Sequence, residues 1–263
     1  EADFYDLAFD YLKRAAQNNV RHVEIFFDPQ AHTSRGISFA TVINGLYRAT
    51  VDARALNIDA GLIMCFLRDF SKESARKTLA EALKYQDKII GIGLDSDEHN
   101  NPPLKFARQF EDAAAAGLHR TVHCDIDQKD SIEHIRQALE IMEVERIDHG
   151  TNIVEDPDLV DLVAKRGIGL TSCPLSNSFV SPEMKGQEVL ELLSKNVKVS
   201  IHSDDPAYFG GYISDNYTAI ASQFKLTKPQ IIQLARNSFE SSWISDQQKE
   251  IYLNELNNYV NSN

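Results

Sequence analysis

Residues 197–206 read VKVSIHSDDP, and the rest of the chain is best interpreted outward from them. An alternating, β-branched run ends here in two adjacent carboxylates, Asp204 and Asp205, followed by a proline. This pattern is typical of a buried strand with acid groups at its carboxyl end. Strand ends and the loops after them form the ligand-binding face of parallel α/β folds, so both carboxylates are predicted to face a site. The alternative is an Asp–Pro turn that only caps the next helix.

Composition bounds the class of protein and its partners. The chain has 263 residues, 43% hydrophobic and 25% charged, which fits one globular domain. A formal net charge of −12 argues against nucleic acid or an anionic membrane as partner and favours a small neutral substrate. Three scattered cysteines suit a reducing compartment, and no apolar run reaches the length of a membrane span, so we predict a cytoplasmic protein. The sequence leaves the oligomeric state open, a homo-oligomer included.

Short apolar strands alternate with helical patterns along the chain. The predicted strands cover residues 22–27, 61–66, 89–94, 119–123, 146–148, 167–171 and 197–202. The first predicted helices cover residues 3–18, 38–55, 71–85 and 104–116. Such alternation indicates a parallel sheet covered by helices, and both a closed eight-stranded barrel and an open doubly wound sheet fit it.

Polar residues at the strand ends favour the barrel over the open sheet, which would concentrate them at one switch point. They are Asp28, Arg68, Asp95, His123, His149, Cys173 and Asp204. We therefore predict an α/β fold, a (β/α)8 TIM barrel. Seven strands are counted where the barrel needs eight, so the expectation is a single domain over residues 1–263 whose first strand lies upstream of residue 1.

Two histidines follow consecutive predicted strands, His123 at the end of one and His149 at the end of the next. Neighbouring strands of a barrel lie about 5 Å apart, so both imidazoles can converge with Asp204. Histidine and carboxylate around one point are the ligands that zinc takes, with room left for a water. The alternative is a pair of structural, hydrogen-bonded histidines.

Four motifs occur in a fixed chain order: His123 after its strand, IDHG at 147–150, CPLSN at 173–177, and SDDPAYFGGY at 203–212. Together they resemble the adenosine/adenine deaminase family, a family of zinc-dependent (β/α)8 amidohydrolases. The resemblance extends over most of the chain. Three further stretches are more similar to the adenine-type branch: EIFFDPQ at 24–30, GLDS at 93–96 and AYFGG at 207–211.

The resemblance implies roles for the catalytic residues. His123 and Asp204 would be zinc ligands, and His149 would position and polarise the hydrolytic water. Zinc lowers the pKa of bound water toward ~7, which supplies hydroxide at neutral pH. Asp205 would contact the purine N7, and the Asp95-Ser96 segment would face the N3 edge.

The chain departs from the family pattern at two points. It contains no His-x-His, the paired ligand motif of the family's first strand, so it offers two protein ligands where a catalytic zinc takes three or more. Ile126 stands where the family has its proton-shuttling glutamate. The segment between His123 and His149 is longer than in the adenine-type pattern, so an insertion would bring Asp127 or Asp125 into the glutamate's place.

The implied activity is zinc-dependent hydrolytic deamination of adenine or a related 6-aminopurine, adenosine included. The 6-oxopurine and ammonia would be the products. Two alternatives stay open. Ile126 is compatible with a metal-free or catalytically altered purine-binding barrel, and the walls of the site could instead select another amino-heterocycle.

Overall fold

The computed structural model describes residues 1–124 and 129–262, which pack as two units. The first unit comprises Glu1–His123 and Gln137–Val144, and the second comprises Cys124–Arg136 and Glu145–Asn263. Each unit is built from parallel strands alternating with helices. The predicted positions Asp125, Ile126 and Asp127 lie outside the described residues.

The first unit contains four parallel strands paired in chain order. They are β1 (His22–Phe27), β2 (Asp59–Leu67), β3 (Gly91–Asp95) and β4 (His119–Cys124), the last residue of which belongs to the second unit. The ladder between β1 and β2 runs from His22↔Asp59 to Phe27↔Met64, and the ladder between β2 and β3 continues to Leu67↔Asp95. The ladder between β3 and β4 pairs Gly91 with His119 and Ile92 with Arg120.

Helices alternate with the strands of the first unit, beginning with one that precedes β1. They are α1 (Ala2–Gln17), α2 (Pro29–Thr33), α3 (Phe39–Asp52), α4 (Lys72–Ala82) and α5 (Ala107–Ala115). Short 3-10 segments cover Ala53–Leu56, Leu83–Lys88 and Pro103–Phe106, and a π-helical turn covers Gln137–Ile141. Serine side chains begin two of the helices, because Ser38 and Ser71 each accept a hydrogen bond from the backbone N–H three residues on.

The core of the first unit centres on β2. Five consecutive apolar residues of this strand, Leu62 through Phe66, are buried. A parallel strand covered on both faces needs such a continuous apolar run rather than alternation. The apolar centre of β2 therefore anchors the unit and leaves the polar residues at its carboxyl end.

The second unit contains β5 (Arg146–His149), β6 (Gly169–Ser172) and β7 (Lys198–Ile201). These strands are also parallel, with Arg146↔Gly169 opening one ladder and Gly169↔Lys198 opening the next. Their carboxyl ends therefore share one edge, as they do in the first unit. Asn237 fixes a helix against this sheet, because its side-chain N–H donates to the carbonyl of Val199 at 2.8 Å.

The helices of the second unit are α6 (Ser131–Arg136), α7 (Pro157–Arg166), α8 (Pro174–Val180), α9 (Gly186–Ser194), α10 (Pro206–Phe209), α11 (Ile213–Phe224), α12 (Lys228–Glu240) and α13 (Asp246–Ser262). A 3-10 segment covers Thr151–Glu155. In the part of the chain that the structure describes, no helix is both long enough and apolar enough to cross a membrane.

All seven predicted strands are present, and the predicted parallel α/β architecture is confirmed. Some predicted boundaries were wrong. The helix predicted over 71–85 ends as α4 at Ala82, because Tyr85 has non-helical φ and ψ and the chain continues as a 3-10 segment. The last strand ends at Ile201 rather than at His202.

Candidate active site

The second unit gathers three potential metal ligands at the carboxyl edge of its strands. His149 ends β5, Cys173 follows β6 and Asp204 follows β7. One ligand atom from each lies within 4.8 Å of the other two. The Nε2 atom of His149 and the Oδ2 atom of Asp204 are 3.7 Å apart. Imidazole nitrogen, thiolate sulfur and carboxylate oxygen are zinc donors, so these residues fit a zinc ion.

The backbone at the end of β5 orients His149. Its φ is 58°, and Gly150 follows with a φ of 69°. The N–H of Gly150 donates to the carbonyl of Cys124 at 3.1 Å. A side chain at position 150 would not fit, because a Cβ atom would lie 2.7 Å from Cγ2 of Ile147. The turn thus requires glycine, and it presents the His149 imidazole at the strand end.

Asn177 contacts the other nitrogen of the same imidazole. The Nδ1 atom of His149 lies 3.3 Å from Oδ1 of Asn177, a residue of α8 that is wholly buried. An amide oxygen can only accept, so Nδ1–H donates to it, and in a neutral imidazole the lone pair is then on Nε2. The lone pair is on the nitrogen nearer Asp204. Asn177 therefore sets the tautomer of His149.

Asp148, next to His149 in the IDHG motif, has a structural role. Its carboxylate accepts a hydrogen bond from Thr171 Oγ1 at 3.1 Å and lies 3.7 Å from the Arg146 guanidinium. That guanidinium lies over the ring of Trp243. These contacts join β5 to β6 and hold the strand that carries His149.

Asp204 and Asp205 differ in exposure, although they are adjacent. Asp204 has a φ of 54° and is partly buried, whereas Asp205 is exposed. Asp205 is the N-cap residue that precedes α10, but its side chain makes no capping hydrogen bond. The alternative that this Asp–Pro turn only caps the next helix is therefore wrong as far as the side chain of Asp205 is concerned.

The first unit brings together Asp28, Cys65 and Asp95. Asp28 follows β1 and Asp95 ends β3, and one ligand atom from each of the three residues lies within 4.8 Å of the others. The two carboxyl groups hydrogen bond to each other, which requires a shared proton. Burial and the neighbouring Asp28 carboxylate raise the pKa of Asp95 well above its usual value, and burial raises the pKa of Asp28. Asp95 is therefore the protonated partner.

His123 lies one residue before the end of β4 in the first unit. Its ring packs edge-on against Phe26, with ring centroids 5.1 Å apart. Its carbonyl oxygen accepts a hydrogen bond from Nη1 of Arg68 at 2.7 Å. Ser96, one residue after β3, is exposed and has a φ of 75°. His123, Asp95 and Ser96 thus all stand at the carboxyl ends of strands, as the sequence predicts.

The sequence interpretation assigned no ligand or positioning role to three contributors. Cys173 is buried, as expected of a packing residue, but it also stands among the ligand atoms of His149 and Asp204. Asn177 was noted only as part of a motif. The sequence signal for both residues was their place in CPLSN, which directly follows a predicted strand. Asp204 and His149 were predicted as site residues because they too stand at strand ends. Cys65 lies inside β2 and had no such signal.

Comparisons with known proteins identify relatives over nearly the whole chain. A family model described as adenosine deaminase matches residues 1–259. An uncharacterized deaminase of Schizosaccharomyces pombe is 50% identical over 264 residues, covering 100% of this chain and 78% of that protein. An adenine deaminase of Geotalea uraniireducens is 48% identical over 263 residues, covering 98% and 74%.

Solved structures give the same answer for the fold. The adenine deaminase of Arthrobacter aurescens matches with a TM-score of 0.93 at 41% identity, over 98% of this chain and 80% of that one. An amidohydrolase of Burkholderia ambifaria, solved with bound zinc, matches with a TM-score of 0.89 at 26% identity, over 100% and 76%. The predicted fold class, the α/β fold of TIM-barrel deaminases, is thereby confirmed. With the family model matching nearly its whole length, the chain belongs to the adenosine deaminase family.

Proposed function

We propose that this protein catalyses the zinc-dependent hydrolytic deamination of adenine or a closely related 6-aminopurine, adenosine included. The products are the 6-oxopurine and ammonia. The observation that carries the proposal is the convergence of His149, Cys173 and Asp204 at one strand edge. It occurs in a chain that is 48% identical to an adenine deaminase and 26% identical to an amidohydrolase with bound zinc.

His123 and Asp204 are assigned as zinc ligands, residue by residue from the family pattern. Zinc, when bound, supplies a Lewis acid that makes water nucleophilic near neutral pH. His149 orients the attacking water, because its Nδ1–H is donated to Asn177 and its Nε2 is left to accept a hydrogen bond. The buried thiol of Cys173 lies beside His149 and Asp204.

The reaction balances with one water. The water oxygen bonds to C6, one water proton moves to the amino nitrogen and the other to ring N1, the C6–N6 bond breaks, and ammonia leaves as the 6-oxo group forms. We assign the proton transfer to Asp127 or Asp125, in place of the family glutamate. Because an aspartate is one methylene shorter, this assignment requires the backbone of that segment to approach the substrate more closely.

The purine edges are assigned to the remaining predicted residues. Asp205 faces N7. Ser96 and Asp95 face the N3 edge, and their position at the carboxyl end of β3 supports this assignment.

A metal-free purine-binding barrel is the second candidate, and Ile126 at the glutamate position is the observation that favours it. The test is an ultraviolet assay of adenine loss together with metal analysis of the full-length protein. We expect turnover and about one zinc per chain, both lost in Asp204→Ala and both kept in the exposed control Asp10→Ala. Tight purine binding without zinc and without turnover would establish the binder instead.

Substrate class, location and assembly have their own tests. A panel of amino-heterocycles with adenine and adenosine as references decides between the purine deaminase and a deaminase of another ring. A cytoplasmic location is proposed and is tested by cell fractionation. Light scattering tests for a homo-oligomer.

A further inference from the structure

Arg68 is the largest fully buried side chain among the described residues. It stands directly after β2, at the same strand edge as Asp28 and Asp95. Removing a guanidinium from water is unfavourable unless hydrogen bonds and an opposite charge compensate for the lost hydration. An exposed arginine in a loop stays hydrated and needs no such compensation. The contacts that compensate the buried Arg68 guanidinium therefore indicate its role.

Two of these contacts are with backbone carbonyls. Nη1 donates to the carbonyl oxygen of His123 at 2.7 Å, and Nε donates to the carbonyl oxygen of Asn101 at 3.1 Å. The charge is balanced by Glu98, whose Oε1 lies 3.5 Å from Nη1 and whose side chain is 1% exposed. The guanidinium thus joins the end of β4 to the loop that follows β3.

The strand ladder explains why a side chain is needed at this point. The pairing of β3 with β4 reaches Ile92↔Arg120, three residues before His123. The pairing of β2 with β3, in contrast, continues to Leu67↔Asp95. The carbonyl of His123 lies beyond the β3–β4 ladder. It accepts its hydrogen bond from the side chain of Arg68, which stands at the end of β2.

The same residue fixes both ends of the loop over residues 95–101. The backbone N–H of Arg68 donates to the carbonyl of Asp95 at 3.1 Å. At the other end, Lys105 Nζ donates to the carbonyl of Arg68 at 2.7 Å and to Oδ1 of Asn101 at 2.8 Å. Arg68 therefore contacts the first and last residues of the segment that carries Asp95 and Ser96.

We propose that Arg68 is a positioning residue of the deaminase site, which holds the metal-ligand residue His123 and the purine-facing loop over residues 95–101 in one fixed arrangement. The proposal rests on the proposed function for the roles of His123 and this loop. Lysine cannot replace Arg68, because a single ammonium on a flexible stem does not present the planar fork that reaches both carbonyls and Glu98.

The test uses the full-length protein and the variants Arg68→Lys and Arg68→Ala. For Arg68→Lys we expect at least a tenfold loss of kcat/KM for adenine, a higher KM, and weaker zinc retention against a chelator. We expect millimolar guanidinium to restore part of the activity of Arg68→Ala in a saturable manner. It should not restore activity to Asp204→Ala, which lacks a ligand rather than a positioning group.

The matched control is Arg120→Lys. Arg120 also lies in the first unit and donates to a backbone carbonyl, that of Met142 at 3.2 Å, but it stands near the start of β4. Its loss should lower the melting temperature without changing KM or zinc retention. Wild-type kcat/KM and zinc retention in Arg68→Lys would overturn the proposal. So would a loss in Arg68→Ala that follows only its unfolded fraction and is not restored by guanidinium.

Two further measurements separate this proposal from the proposed function. Amide hydrogen exchange of residues 95–101 and 121–124 needs no turnover, and we expect both segments to exchange faster together in Glu98→Gln and in Arg68→Lys. If the wild-type protein does not deaminate adenine while this paired change is seen, the proposed function fails and the positioning role stands. Unchanged exchange in both segments overturns the positioning role in either case.

Discussion

The imidazole of His149 and the carboxylate of Asp204 meet at 3.7 Å, and both residues have left-handed backbone, with φ of 58° and 54°. Ser96 shares this conformation at 75°. Non-glycine residues with positive φ are uncommon, and they concentrate at functional sites because the surrounding structure must hold them. His149 is the last residue of β5, Ser96 directly follows β3, and Asp204 lies three residues after β7. Each left-handed residue therefore stands at or shortly after the carboxyl end of a strand.

The adjacent residues Asp204 and Asp205 should fail differently when each is replaced by alanine. Asp204→Ala removes a charged ligand, so we expect loss of zinc and no turnover at any adenine concentration. Asp205→Ala should keep zinc and lose roughly 2 kcal/mol in kcat/KM, because a polar contact to the bound purine is left unpaired. Asp205→Asn should recover part of that loss. Metal analysis beside steady-state kinetics checks this, and the reversed pattern would exchange the two roles.

Asn177 should affect the rate more than the binding of metal. Asn177→Leu removes the acceptor of the His149 Nδ1–H while keeping a similar volume, so we expect at least a tenfold lower kcat, a smaller change in KM and zinc content near that of the wild type. Asn216→Leu is the matched control, because Asn216 is equally buried but bonds the backbone N–H of Leu175. Equal loss of kcat per folded molecule in both variants would contradict a specific role for Asn177.

Asp95→Asn should stabilise the metal-free protein at neutral pH. A carboxyl whose pKa is raised on folding costs stability above its unfolded pKa, and the cost grows as the pH rises toward the folded pKa. The variant should therefore resemble the wild type near pH 4 and be more stable at pH 7. Urea unfolding in the presence of a chelator measures the free energy of unfolding of the variant and the wild type at each pH. Activity toward adenine should fall in the same variant, and a variant less stable than the wild type at pH 7 would contradict the argument.

His22 should make stability fall in mildly alkaline solution. Burial alone would lower its pKa, but hydrogen bonds from the imidazole to Asp59 and Glu24 outweigh burial and raise the pKa to about 9. A raised folded pKa gives stabilisation that is complete below pH 6.5 and is lost as the pH rises to about 9. The loss is on the order of 3 kcal/mol. Denaturant unfolding at several pH values should show this fall in the wild type and not in His22→Gln.

The sequence was sufficient for the strands and for most strand-end residues. Apolar runs such as the centre of β2 are unambiguous, and the first polar residue after each run marks the carboxyl edge. The sequence was not sufficient to predict which side chains lie close together in the site. That depends on the positive φ of His149 and Asp204, which a string of residue types does not encode, and on the β3–β4 ladder stopping before His123.

Arg68 illustrates a second limit. In the sequence it is only one of several polar residues at the strand ends. The structure gives it the ion pair with Glu98 but also complete burial and two backbone carbonyls. Burial of a charge depends on what packs over it from distant parts of the chain, and composition does not report that.

The left-handed backbone at Ser96, His149 and Asp204 also restricts how this enzyme can be engineered. A saturation library at these positions is filtered first by conformation, since glycine, asparagine and aspartate tolerate positive φ while valine, isoleucine and threonine do not. Folded clones should therefore be enriched in glycine, asparagine and aspartate at these positions even without selection for activity. Sequencing such an unselected library after a protease challenge would separate the demand of the backbone from the demand of the chemistry.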